Sequence, residues 1–329
     1  MIARMQRRTC LKLATAAAAA VAPWRAARAT TPDAVDTTWR DSRRERELPL
    51  RMRWPVGDGP CALVVHSHGL GGNRQGGDVW GRAWQQAGIA VLHLQHPGSD
   101  TDVLPGGMRS LRAAANAEQL RARVADMQFA LDEVLRRALL GEPGFSRVRP
   151  GALGASGHSF GAGTVQALAG QRFAAALSGI GEPRFKAFIA FSPSPGQGLP
   201  ESAAFAGVTR PFLAVTGSLD TDSLGRGLTG PERASVIDAL PSGQRALLWL
   251  QDADHMTFAG NAEQRLRARS GVLKREPVAA DNEARHHALV AAVTTLWWRA
   301  RLLGDAAAMA ALREPAQLGL GEGDRWRQD

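Results

Sequence analysis

The sequence predicts an α/β fold in which a mostly parallel central sheet is covered by helices on both faces. Three observations carry that expectation. Short apolar runs alternate with longer segments of helical periodicity, the runs close on Gly, Pro, Asp or His, and no internal repeat or long linker divides the 329 residues. At 44% hydrophobic and 22% charged, the chain has material for one large core and lacks the polar bias of a disordered or fibrous protein. One domain over residues 30–313 follows, with residues 314–329 expected as an irregular, Gly-rich tail.

In chain order, residues 1–29 read as a removable export signal. Arg7-Arg8 precede Leu11-Lys12, an alanine run spans Ala14–Ala22, and Ala27-Arg28-Ala29 stand before Thr30, where cleavage is expected. The paired arginines and modest hydrophobicity point to the twin-arginine route. Gln6 and Cys10 depart from the usual neighbours of the pair, which keeps the Sec route as the alternative. A bilayer span takes about 18 or more strongly apolar residues, so no stable membrane anchor is expected after cleavage. A bacterial periplasmic or secreted protein follows, with the export machinery as its partner in transit. Cys10 leaves with the signal, and Cys61 alone cannot form an intramolecular disulfide.

Trp39 to Trp54 alternates charged and apolar residues and is expected to form edge hairpin strands. Buried strands are expected at Ala62–Ser67, Ile89–Gln95, Gly151–Ser156, Phe185–Phe191, Phe212–Thr216 and Ala246–Gln251. The clearest helix is Ser110–Leu140, where Leu120, Val124, Met127, Leu131, Val134 and Leu135 recur at helical spacing. A last amphipathic helix runs from Ala284 to Leu303, with Trp297 and Trp298 read as packing. Gln264–Asp281 reads as a surface excursion. No long insertion lies between Ala190 and Phe212, so no large cap domain is expected and the site should be open.

Forty basic against 31 acidic residues give +9, but six bases and no acid lie in the first 29 residues, which leaves 34 against 31. Only three of the bases are lysines. The pattern implies no nucleic-acid footprint.

The chemistry concentrates in Gly157-His158-Ser159-Phe160-Gly161, which leaves strand Gly151–Ser156 and enters a helix. That strand, turn and helix context is what a G-x-S-x-G nucleophile elbow requires. A serine on so sharp a turn crowds the residues two before and two after it, hence glycine at both places. The helix beginning there favours negative charge. A serine hydroxyl needs a base and an orienting acid. Two strands downstream end in candidates, one in Gly217-Ser218-Leu219-Asp220 and one in Asp252-Ala253-Asp254-His255. The expected triad is Ser159, His255 and Asp220, with Asp222 as the competing acid. Asp252 and Asp254 leave the same loop as His255 and are disfavoured. His66-Ser67-His68-Gly69-Leu70-Gly71-Gly72 follows strand Ala62–Ser67, the place from which a second oxyanion amide is supplied. The expected oxyanion hole is the backbone N–H of Leu70 and of Phe160. Met256 and Phe258 adjoin the base and are expected to line an apolar acyl pocket. His66 and His68 share a strand face, as metal ligands could, but no third ligand group accompanies them. Gly69–Gly77 lacks the ending of a phosphate cradle. His93 and His96 read as structural, and His286-His287 as surface or core-margin residues. Neither metal nor cofactor is expected.

The segments VVHSHGLGGNRQGGDVWGRAWQQAGIAVLHLQHPGSD, GASGHSFGAGTVQAL and LPSGQRALLWLQDADHMTFAG together resemble the bacterial dienelactone-hydrolase-like proteins related to platelet-activating-factor acetylhydrolases, within the α/β-hydrolase superfamily. The resemblance runs from about Trp39 to Gly304-Asp305. It implies an α/β-hydrolase fold, Ser159 as nucleophile, His255 as base, the Leu70 and Phe160 amides as oxyanion hole, and metal-free hydrolysis of short acyl esters. Two departures stand out. Dienelactone hydrolases use cysteine where this chain has Ser159, and acetylhydrolases draw their acid from a strand end that here reads FSPSPG, without a carboxylate. Secreted polyester hydrolases are similar in layout but use disulfides and a tyrosine, and this chain has no tyrosine. The expected function is a serine hydrolase of small-molecule carboxylic esters working through an acyl-enzyme. Lactonase, amidase or polyester hydrolase action with the same triad, and a non-catalytic binding protein of the same fold, are the alternatives.

Overall fold

The computed structural model describes residues 34–329 apart from 174–179, 197, 223, 226 and 261–274. The expected export signal therefore lies outside the described residues. Among the described residues nine strands form one sheet: β1 (Val35–Asp41), β2 (Arg46–Arg53), β3 (Cys61–Ser67), β4 (Ile89–Leu94), β5 (Val148–His158), β6 (Ala187–Phe191), β7 (Phe212–Leu219), β8 (Arg245–Asp254) and β9 (Arg325–Gln328). Their spatial order is β1-β2-β4-β3-β5-β6-β7-β8-β9. The middle of the sheet, β4 through β8, is parallel, whereas β1–β2, β2–β4 and β8–β9 pair antiparallel.

Every residue of β3, β4 and β6 is buried, as a parallel strand covered on both faces requires. Alternation along β3 sends Leu63 and Val65 to one core and Ala62 and Val64 to the other. The first core packs against α3 (Ala117–Leu139) through Val124, Met127 and Leu131, and against α4 (Phe160–Ala169) through Val165 and Leu168. The second packs against α1 (Asp78–Gln86) through Trp80 and Trp84, and against the long helix Glu283–Leu302 through Val290, Trp297 and Trp298. Both tryptophans of the 297–298 pair are thus interior.

Three expectations need correction. The helix expected over Ser110–Leu140 is two helices, α2 (Gly107–Ala114) and α3, because Asn116 takes extended backbone angles and its side chain accepts the Gln119 N–H at 2.9 Å. Asparagine caps a new helix here instead of continuing the old one. The helix ending near Leu303 is not the last; Ala306–Arg313 follows it, with Asp305 as its cap. The tail is not irregular. Arg325–Gln328 adds β9 to the otherwise unpaired edge of β8, and the Trp326 indole N–H donates to the Leu312 carbonyl at 2.8 Å. Of the expected excursion Gln264–Asp281, residues 264–274 lie outside the described residues and Pro277–Asp281 is a short helix. Among the described residues between β6 and β7 there is one short helix, Glu201–Phe205, and no cap domain. Among the described residues no helix is long and apolar enough to cross a membrane.

Candidate active site

Three parallel strands deliver the triad candidates from their C-terminal ends. Ser159 follows β5, Asp220 follows β7 and His255 follows β8. Ser159 sits at the head of α4 with φ 55° and ψ −113°, a strained setting for a non-glycine residue. Glycine is needed on both sides. A Cβ at Gly157 would collide with the Gly161 carbonyl, and one at Gly161 with the Ser67 and His68 carbonyls. This close approach also places the loop after β3 directly against the elbow.

The Ser159 hydroxyl donates to His255 Nε2 at 2.9 Å, and His255 Nδ1–H donates to Asp220 Oδ1 at 2.7 Å. The carboxylate can only accept, which fixes the proton on Nδ1 and leaves Nε2 as the acceptor facing the serine. The carboxylate that takes the His255 Nδ1–H is that of Asp220, while the Asp222 backbone N–H donates to the Leu228 carbonyl at 2.8 Å. Asp252 and Asp254 are committed elsewhere. The Asp252 N–H bonds Ser218 Oγ at 2.8 Å, while Asp254 takes Thr257 N–H at 2.8 Å and Arg275 Nε–H at 3.1 Å, bracing the loop that carries His255.

Asp220 is sealed from solvent. Burial alone would push its pKa up, but the Arg233 guanidinium 3.1 Å away and His255 outweigh it and hold the acid down to about 2, from an ordinary 3.8. Thr216 Oγ1–H donates to Asp220 Oδ2 at 2.7 Å, so both oxygens are occupied. Arg233 also spans the Ser192 and Pro193 carbonyls beyond β6, at 3.1 and 2.9 Å. The FSPSPG strand end therefore contributes backbone to the acid's support.

Ser159, Phe160 and Leu70 are partly exposed, and the Leu70 and Phe160 amides have no acceptor among the described residues. For Phe160 the reason is general, since first-turn amides of a helix have no partner within it. Met256 keeps 8% exposure, but Phe258 is 0% exposed and packs in the second core, its carbonyl accepting the Trp80 indole N–H at 3.4 Å. The expectation that Phe258 lines an acyl pocket is corrected accordingly: it anchors the loop from within.

The other histidines are structural partners. His158 Nε2–H donates to the His255 carbonyl at 3.0 Å, with the two rings 4.7 Å apart, and burial followed by the neighbouring His255 holds its pKa well below the usual value. His66 bonds Ser156 Oγ at 2.9 Å, and His93 Nδ1–H donates to the Gly76 carbonyl at 2.9 Å. His286 reaches the Gln251 carbonyl at 2.9 Å and His287 the Thr257 carbonyl at 3.1 Å, both behind the loop that carries His255. His66 and His68 do not converge with a third ligand: among the described residues no group of three or more His, Cys, Asp or Glu could hold a metal. Sequence reasoning missed Arg233, Thr216 and the role of His158. Only His158 carried a signal, its place inside the elbow.

No protein-family model matches this chain, and no curated protein matches it. Solved structures do. The dienelactone hydrolase from Anabaena variabilis is similar over 83% of this chain and 99% of its own, at 17% identity with a TM-score of 0.54. A 2,6-dihydroxy-pseudo-oxynicotine hydrolase is similar over 73% and 67%, at 15% identity with a TM-score of 0.49. The chain has the α/β-hydrolase fold.

Proposed function

We propose that this chain is a serine hydrolase that cleaves carboxylic esters through an acyl-enzyme. The observation that carries the reading is the relay from Ser159 through His255 to Asp220, at 2.9 and 2.7 Å, together with the Leu70 and Phe160 amides, which have no acceptor among the described residues. Ser159 Oγ attacks the acyl carbon while its proton passes to His255 Nε2. Asp220 stabilises the imidazolium, and the Leu70 and Phe160 amides receive the negative oxygen. The imidazolium then returns the proton to the departing alcohol. Water, deprotonated by His255, releases the acid and regenerates the serine. The similarity to a dienelactone hydrolase supports hydrolytic chemistry, and the partial exposure of Ser159 admits a substrate acyl group to the hydroxyl. In this reading the export signal delivers the enzyme to the periplasm or the medium.

A fluorophosphonate probe tests the reading. Wild type is expected to label stoichiometrically and Ser159→Ala not at all. Folded wild type that resists the probe would overturn the reading in favour of a binding protein. A panel of p-nitrophenyl esters beside lactones and anilides then sorts the substrate class, and turnover of lactones or anilides alone would sink the ester assignment.

A further inference from the structure

The loop carrying Leu70 rests on a polar cluster with no solvent access, and the serine-hydrolase reading gives that cluster a task. A peptide unit is planar and trans, so the Leu70 N–H points opposite to the Gly69 carbonyl. Whatever fixes that carbonyl aims the amide. The Gly69 oxygen accepts from His68 Nδ1–H at 2.6 Å and from the Gly72 N–H at 2.9 Å. The His68 ring is held in the required tautomer from its other side. The His96 backbone N–H donates to His68 Nε2 at 3.0 Å, which makes Nε2 an acceptor and leaves the proton on Nδ1. Burial and the charge of Arg123 keep the ring neutral.

Arg123, sealed on α3, acts on the preceding peptide. It donates to the His68 carbonyl and to Ser67 Oγ, the latter at 3.1 Å, and its guanidinium lies 4.8 Å from the centre of the Phe160 ring. None of its hydrogen-bond partners is a carboxylate. A buried cation that hydrogen-bonds only neutral oxygens is costly to a fold and favours negative charge nearby. Asp126 and Asp100 supply part of that charge without hydrogen-bonding the guanidinium, and the two segments that carry the proposed oxyanion donors lie directly against it.

We propose that His68 and Arg123 are positioning residues that aim the Leu70 amide, and through Phe160 the second donor, at the oxyanion. The proposal rests on the serine-hydrolase reading and makes the two side chains act only on its transition state. An interaction made in the transition state alone lowers kcat and leaves KM in place.

The asparagine amide nitrogen can replace His68 Nδ1, whereas glutamine places its amide at the position of Nε2. Wild type, His68→Asn, His68→Gln and Arg123→Met are compared by fluorophosphonate titration of active sites, p-nitrophenyl acetate kinetics and inhibition by a trifluoromethyl ketone, which forms a tetrahedral adduct. His68→Gln and Arg123→Met are expected to lose about 10²-fold in kcat per titrated site, with KM nearly unchanged and ketone affinity weakened in step. His68→Asn is expected to recover most of the rate. Equal damage from asparagine and glutamine, or a loss confined to the titratable fraction with normal kcat per site, overturns the proposal. If Arg123→Met does not fold, the His68 pair decides by itself. Wild type that neither labels nor turns over ester is the separate failure of the serine-hydrolase reading.

Discussion

Among the described residues there are two Ser–His–Asp relays of nearly the same geometry. In one, Ser159 reaches His255 at 2.9 Å and His255 reaches Asp220 at 2.7 Å. In the other, Ser67 reaches His96 Nε2 at 2.9 Å and His96 Nδ1 reaches Asp126 at 2.9 Å. The contrast lies around them. Ser159 stands on a strained turn, partly exposed, beside unpaired amides, whereas Ser67 ends a buried strand and its hydroxyl also accepts from Arg123. On the proposed function, the difference teaches that the three residue types at hydrogen-bonding distance do not by themselves make a nucleophile, which also needs access and an oxyanion site. The second relay ties β3, α3 and the β1–β2 hairpin together, with Arg44 and Arg46 both meeting Asp126 at 2.8 Å.

Loss of the proposed nucleophile should have the largest effect. Ser159→Ala is expected to lower kcat by about 10⁶-fold, while Ser67→Ala still takes up a fluorophosphonate; labelling at Ser67 in mass spectra would break the comparison. Next come the two acids. Asp220→Asn should cost about 10⁴-fold in kcat, since the imidazole loses its tautomer. Asp126→Asn should instead cost about 3–5 kcal/mol of stability, because it strips a partner from buried charges. Denaturant titration and kcat per titrated site separate the two outcomes, and equal rate losses would contradict the assignment.

The pH response sharpens the same contrast. Asp220 is held down to about 2, so its contribution to stability is whole above its ordinary 3.8 and drains away as pH falls toward 2. Arg233→Met removes the largest charge holding it down, which raises the acid-unfolding midpoint. The buried histidines work at milder pH. His93 and His96 are pushed down to about 4 from an ordinary 6.5, chiefly by burial, so the unfolded chain binds protons there that the fold does not. Stability should fall as pH drops from 6.5 toward 4, seen as a declining urea midpoint; a flat profile over that range would show these rings taking up protons in the folded state. The smallest effect is expected at the far edge of the sheet. Trp326→Ala should lose about 1–2 kcal/mol of stability and leave kcat unaltered.

Much of the site was readable from residues that obey local rules. The elbow was legible because glycine at 157 and 161 is forced by sterics within a few residues. Strand ends at Asp220 and His255 were legible because buried parallel strands are continuous apolar runs. The break at Asn116 and the strand Arg325–Gln328 were not. A capping asparagine inside a helical pattern and a short polar edge strand depend on what lies beside them.

What the sequence determined unaided is where the buried strands lie along the chain and the identities at the elbow, since both follow from periodicity and short-range sterics; their order in the sheet was decided only by the fold. Which aspartate faces His255, that Arg233 lies against it, and that Ser67, His96 and Asp126 form a second relay were decided only in the folded chain. Those contacts join residues 13 to 35 positions apart, and the direction of a side chain across such a gap is set by packing, not by its neighbours in sequence.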